Sequence, residues 1–140
     1  MTFYEGKKQL EHIHDIMFRS KLISSIVYLN QYWQLFSEEH NRHIYELVKR
    51  NGGFVRVLMP KTRTNIEYTN KKYRKGLQEV RFLPNTFDDT KQASILYNDT
   101  QVVYLSYSSV TATSIEDKDI LSVHSQMFEH IWNQSDPYEE

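Results

Sequence analysis

One hydrophobic–polar pattern occurs twice in the chain. Residues 54–60 read F-V-R-V-L-M-P, and residues 79–84 read E-V-R-F-L-P. Each is a short run of β-branched, aromatic and leucine residues stopped by proline, the signature of a buried strand turning into a loop. Between them, residues 65–75 carry helical spacing closed by Gly76, although the tyrosines and Thr69 are indifferent helix formers. Strand, helix and strand in so short a stretch make a βαβ unit, whose two strands run parallel. The pattern therefore predicts neighbouring strands that deliver their loops to one edge of a sheet.

The rest of the chain divides the same way. Leu10, Ile13, Met17 and Phe18 recur at helical spacing within residues 5–19, and Arg19 and Lys21 suit the negative end of that helix. Residues 22–29, L-I-S-S-I-V-Y-L, read as a buried strand. Residues 37–50 form a helix that Ser37 caps, with Glu38 and Glu39 in its first turn and Gly52 and Gly53 at its end. Residues 93–97 and 102–107 flank N-D-T-Q, a hairpin, and residues 109–115 add a strand. Asp117 caps a last helix with Ile120, His124, Met127, Phe128 and Ile131 on one face and Trp132 at its margin. The order α-β-α-β-α-β-β-β-β-α predicts an α/β domain over residues 1–133, a mixed sheet with helices on its faces, and a flexible tail over 134–140.

Composition narrows this picture. At 140 residues, 39% hydrophobic and 14% aromatic, the chain has the makings of one folded core. It has no cysteine, which excludes disulfides, thiolate metal sites and a cysteine nucleophile. It shows neither a signal-peptide core nor a membrane-length apolar run, so the expected setting is the cytoplasm, with no membrane contact. Charge is unevenly placed. Residues 42–81 hold eleven Lys/Arg and three acids, whereas residues 85–140 hold two Lys and ten Asp/Glu. Such asymmetry suits an anion-binding face; the plainer reading is solvated helix faces or self-association. Arg56 and Arg81 fall within strands and need acid partners or an edge, because an unpaired buried charge is costly.

Taken in order, several phrases resemble the effector domain of TrmB-like transcriptional regulators. They are F-Y-E-G-K-K-Q-L-E-H-I, V-R-V-L-M-P, E-V-R-F-L-P, S-I-L-Y-N-D-T-Q-V-V-Y-L-S-Y, S-I-E-D-K-D-I and M-F-E-H-I-W, spread over residues 3–132. The resemblance implies a phospholipase D-like fold in an archaeal-type regulator that senses a small molecule and forms a homodimer. Members carry a winged helix-turn-helix ahead of this domain, and it is not among the residues here. DNA contact is then expected only through another domain or partner. The hairpin turn also departs from the family, with Thr100 and Gln101 where a glycine or lysine often follows the aspartate.

Catalytic relatives of that fold use H-x-K-x(4)-D, in which histidine attacks phosphorus and lysine holds the phosphate. None of the six histidines has lysine two residues on; His40-Asn-Arg42 comes nearest, inside a predicted helix. No phosphodiesterase activity is therefore expected. His40 and His43 are spaced to share a metal on a helix but lack a third ligand, so no metal or cofactor is implied. His124 reads as a satisfied core histidine, and Asp88-Asp89 as turn chemistry. Ligands of open α/β sheets bind beyond the carboxyl ends of parallel strands. That edge nominates Asn30, Gln31, Tyr32 and Trp33 after one strand and Lys61, Thr62 and Arg63 after the next, suited to a sugar or an anionic metabolite. Two functions follow: a non-catalytic ligand sensor that dimerises, or a stand-alone module binding nucleic acid or phosphate through residues 42–81. An enclosed pocket at the strand ends favours the first. A contiguous basic patch with exposed Tyr68 and Tyr73 favours the second.

Overall fold

The computed structural model describes residues 1–29 and 32–138. The chain runs β1 (Thr2–Glu5), α1 (Lys7–Met17), β2 (Leu22–Val27), α2 (Tyr32–Leu35), α3 (Glu38–Arg50), β3 (Phe54–Met59) and α4 (Arg63–Thr69). A 3-10 turn (Lys72–Arg74) leads to β4 (Gln78–Phe82), β5 (Ala93–Tyr97), β6 (Val102–Ser106), β7 (Thr111–Ile115), α5 (Lys118–Gln134) and β8 (Asp136–Pro137). All eight strands join one mixed sheet in the order β1-β7-β6-β5-β2-β3-β4-β8.

The repeated phrase is a parallel pair, as its proline-stopped pattern predicts. Arg56 lies opposite Glu79, Val57 opposite Val80 and Leu58 opposite Arg81. β2 is parallel to β3 on its other side, with Ile23 opposite Val55. Alternation then sorts the side chains. Ile23, Val27, Val55, Val57, Met59, Val80 and Phe82 face α1 and α3. Ile26, Leu58 and Tyr97 face α5, joined by Phe128 and Trp132 of that helix.

Local chemistry sets the helix ends. Ser37 Oγ accepts the His40 N–H at 3.1 Å, and Gly53 N–H returns to the Val48 carbonyl at 2.8 Å. Gly52 takes φ of 62°, and a Cβ on Gly53 would stand 2.5 Å from the Ser20 carbonyl oxygen. Both glycines are thus needed where α3 turns into β3 against the end of α1. In the hairpin, Asn98 Oδ1 accepts the Thr100 and Gln101 N–H groups at 2.9 Å each.

The arginines in the strands meet their expected partners. Arg56 Nη1 lies 2.6 Å from Glu129, its guanidinium also donates to Ser24 Oγ, and it sits 4.8 Å from the Phe128 ring. Arg81 lies 3.2 Å from Glu79, donates to the Trp132 carbonyl at 2.8 Å and covers the Trp132 ring.

The structure departs from the sequence reading at several points. The helix expected over residues 5–19 spans Lys7–Met17, and residues 2–5 are an edge strand on β7. The helix predicted over 65–75 starts at Arg63 and breaks after Thr69, whose hydroxyl turns back to the Ile66 carbonyl at 2.7 Å. The last helix is rotated from its predicted face: Phe128 and Trp132 are buried, whereas Ile120 and Met127 are 39% and 53% exposed. Within the segment expected as a flexible tail, residues 136–137 form a short strand. β8 pairs antiparallel with β4, and Tyr138 N–H reaches the Val80 carbonyl at 3.0 Å; residues 139–140 lie outside the described residues. The hairpin strands are internal to the sheet, since β5 pairs with β2 and β6 with β7. The sheet edges are β1 and β8.

Candidate ligand site at the carboxyl ends of the parallel strands

Because β2 and β3 are parallel and in register, the segments after Val27 and Met59 leave the sheet by the same edge. Asn30 and Gln31 lie outside the described residues. Tyr32, the first residue of α2, is buried, and its hydroxyl accepts Asn41 Nδ2 at 2.8 Å. Trp33 is 36% exposed; its ring stands edge-on to Tyr32 at 4.8 Å and meets Tyr68 of α4 at 5.7 Å. The helix after β2 therefore touches the helix after β3.

The second loop is committed in part to structure. Thr62 Oγ1 caps α4 by accepting the Asn65 N–H at 3.1 Å, while Asn65 Nδ2 donates to the Pro60 carbonyl at 2.6 Å. Lys61 Nζ sits 5.8 Å from the Phe82 ring at the end of β4. Arg63 points into solvent, 3.5 Å from Glu67 one turn on. Of the described candidates, Trp33, Lys61 and Arg63 have polar or aromatic surface to offer a ligand, and Tyr32 faces inward.

Beneath this edge lies a cavity of about 30 Å³, walled by His14, Tyr32, Asn41, Tyr45, Tyr68 and Tyr107 among others. That volume suits one water-sized guest. The hydroxyls are paired: Tyr45 donates to Gln78 Oε1 at 2.7 Å, and Tyr107 meets Ser94 Oγ at 2.6 Å. Burial pushes the Tyr32, Tyr45 and Tyr107 hydroxyls well above their usual range, so they remain neutral.

His14 forms the cavity's flank, with Nδ1 3.0 Å from His40 Nε2. Burial, and secondarily the nearby His40, lowers its pKa to about 3, so it stays neutral. His40 is lowered too, chiefly by burial, against the pull of Glu11 and Asp15. His43 pairs with Asp15 at 3.1 Å. His124 finds the Tyr104 hydroxyl through Nε2. Among the described residues, no group of three metal-ligating side chains could hold an ion.

A wider groove, about 680 Å³, opens on the opposite face between the starts of β2 and β3 and α5. Ser24, Arg56, Asn98, Lys118, Gln126 and Glu129 line it. No helix is long and apolar enough to cross a membrane.

No family model matches this chain, and no curated protein matches it either. Likeness appears in three dimensions. One solved structure is that of TrmBL2, an archaeal chromatin protein with a novel mode of DNA binding; it superposes with a TM-score of 0.65 at 16% identity. The match covers 98% of this chain and 52% of TrmBL2. This chain shares its fold with about half of that TrmB-like protein. At such identity the likeness carries the architecture, and it does so over nearly every element described above.

Sequence reasoning missed the polar interior that supports the edge. Asn41 joins α3 to Tyr32 and, through Oδ1, to Tyr73 at 2.6 Å and Arg74. Tyr68 is buried rather than an exposed stacking ring, and Arg74, counted in the basic run, is 1% exposed. The available signal was the density of tyrosine around one asparagine and one arginine, which a helical face alone does not explain.

Proposed function

We propose that this is a non-catalytic, ligand-sensing domain of a TrmB-like, DNA-associated regulator, with a phospholipase D-like fold and a homodimeric state. The observation that carries the reading is the near-complete overlap of this chain with about half of TrmBL2. DNA contact would fall to a domain or partner beyond these residues. The lack of any H-x-K pair supports the non-catalytic assignment, because phosphoryl transfer in that fold needs histidine and lysine on one strand face.

The ligand reading puts a sugar or anionic metabolite over Trp33, with Lys61 and Arg63 as its further contacts among the described residues. Support comes from the shared edge of β2 and β3, the Trp33–Tyr68 ring contact that brings the two following helices together, and the hydroxyl-lined cavity below. The cavity is water-sized and Trp33, Lys61 and Arg63 do not line it, so the ligand of this reading sits outside it. A second reading puts the ligand in the groove beside α5, favoured by its volume of about 680 Å³, in the range of metabolite pockets.

The test uses a Trp132→Phe protein, which leaves Trp33 as its single tryptophan. Sugars, sugar phosphates and nucleotides are titrated while fluorescence is followed, and bis(nitrophenyl) phosphate hydrolysis is assayed in parallel. A saturable Trp33 response without turnover supports the proposal. Turnover abolished by His40→Ala would overturn it.

A further inference from the structure

Arg74 is a cation held in an unusual way. It is 1% exposed, yet none of the ion pairs found among the described residues involves it. Its guanidinium instead stacks on the Tyr68 ring at 3.5 Å and lies 4.7 Å from the Tyr73 ring. Nη1 donates to Asn41 Oδ1 and the Tyr73 hydroxyl, and Nη2 donates to the Tyr68 carbonyl. Nε is buried with no hydrogen-bond partner. A buried cation supported only by neutral groups carries an uncompensated charge, and cation–π contacts offset part of its desolvation.

Arg74 also forms the wall of a groove of about 210 Å³ at the amino end of β4, on the edge of the sheet. The other walls include Lys71, Lys72, Lys75, Asn70 and Tyr138, and the Tyr138 hydroxyl donates to Asn70 Oδ1. No described residue of the lining is acidic. Lys71 shares Glu38 at 3.6 Å, whereas Lys72 and Lys75 are exposed and form no ion pair among the described residues. The break of α4 after Thr69 and the 3-10 turn over Lys72–Arg74 gather these cations within one bend.

We propose that this groove binds a phosphate group, with Lys72 and Lys75 meeting its oxygens at the rim and the buried Arg74 guanidinium supplying positive charge from behind the wall. A phosphate oxygen accepts several charge-assisted hydrogen bonds at once, and the groove offers cationic donors without an internal anion to compete. The crevice above Trp33 lies at the opposite, carboxyl edge of the parallel strands, so this site stands or falls independently of it.

The experiment titrates inorganic pyrophosphate into the protein by calorimetry at low ionic strength. It compares wild type with Lys72→Ala/Lys75→Ala and with Lys49→Ala/Arg50→Ala, which removes the same charge from the end of α3. The expected result is saturable binding that the first pair weakens by about tenfold or more and the second leaves nearly unchanged. Arg74→Lys should weaken binding also, and the exposed lysine pair keeps the test open if that variant fails to fold. Absence of saturable binding at about 10 mM, or equal losses in both paired variants, overturns the proposal. An oligothymidylate of about 20 nucleotides distinguishes the source of the phosphate. Binding that needs Lys72 and Lys75 assigns the site to a nucleic-acid backbone; pyrophosphate binding without it assigns the site to a small phosphate ester.

Discussion

Replacing His14 with glutamine should remove much of the protein's sensitivity to mild acid. His14 is 3% exposed, flanks the interior cavity and has its pKa lowered from 6.5 to about 3. The folded state holds it neutral, while the unfolded chain takes up a proton near its ordinary value. Stability from this residue is therefore complete above about 6.5, falls as pH drops, and is exhausted near 3. Between pH 7 and 5 the linkage amounts to about 2 kcal/mol, at about 1.4 kcal/mol per pH unit once below the unfolded value. Glutamine keeps a polar partner for His40 and does not titrate. Urea unfolding of both proteins across that pH range gives the comparison. The variant starts lower at neutral pH, by about 1–3 kcal/mol for the disturbed buried contact, and then loses about 2 kcal/mol less than wild type on acidification. His40, also lowered chiefly by burial, leaves a residual slope of the same sign in the variant. Parallel pH profiles for the two proteins would refute the reasoning, because they would mean that His14 is already hydrated.

Ser37→Ala removes the acceptor of the His40 N–H and should lower the unfolding free energy by about 1 kcal/mol in a denaturant titration. Ending the chain after Gln134 strips β8 from β4, loses the Tyr138–Val80 hydrogen bond and bares an edge strand; a loss of about 1–3 kcal/mol and concentration-dependent aggregation by light scattering are expected. Arg63→Ala should shift the thermal midpoint very little, since its side chain is 94% exposed and its pair with Glu67 is worth under about 0.5 kcal/mol. The same change should weaken an anionic ligand at the crevice by about 1.5–3 kcal/mol in a calorimetric titration.

The central strands were legible because two proline-stopped runs bracketed a helical segment of crossover length. The α3 ends were legible because Ser37 and the glycine pair have single-residue mechanisms. Strands β1 and β8 were not, since four and two residues carry no period of their own and become strands only by pairing with β7 and β4. The rotated face of α5 has a similar cause. Apolar residues surround much of that helix, and which of them turn inward depends on Arg56 and Arg81 placing their guanidinium groups against Phe128 and Trp132. At the candidate site, the shared edge of residues 32–33 and 61–63 followed from strand direction, which a βαβ pattern encodes. The side-chain roles did not follow: Thr62 is taken up by a helix cap, and Tyr32 by Asn41. Burial of Arg74 was hidden because a basic run reads as solvent-facing until its tyrosine and asparagine partners are brought together by α3 and α4.

The account's central claim, a sensing site at the carboxyl edge of β2 and β3, is tested most directly by amide chemical-shift mapping of the labelled protein against the same sugars, sugar phosphates and nucleotides. The account predicts that a binding member shifts Trp33, Lys61–Arg63 and Tyr68 together, saturates, and leaves α5 unmoved. Saturable shifts confined to Ser24, Arg56 and residues 118–129 of the α5 groove, with the amides around Trp33 unchanged, would contradict it.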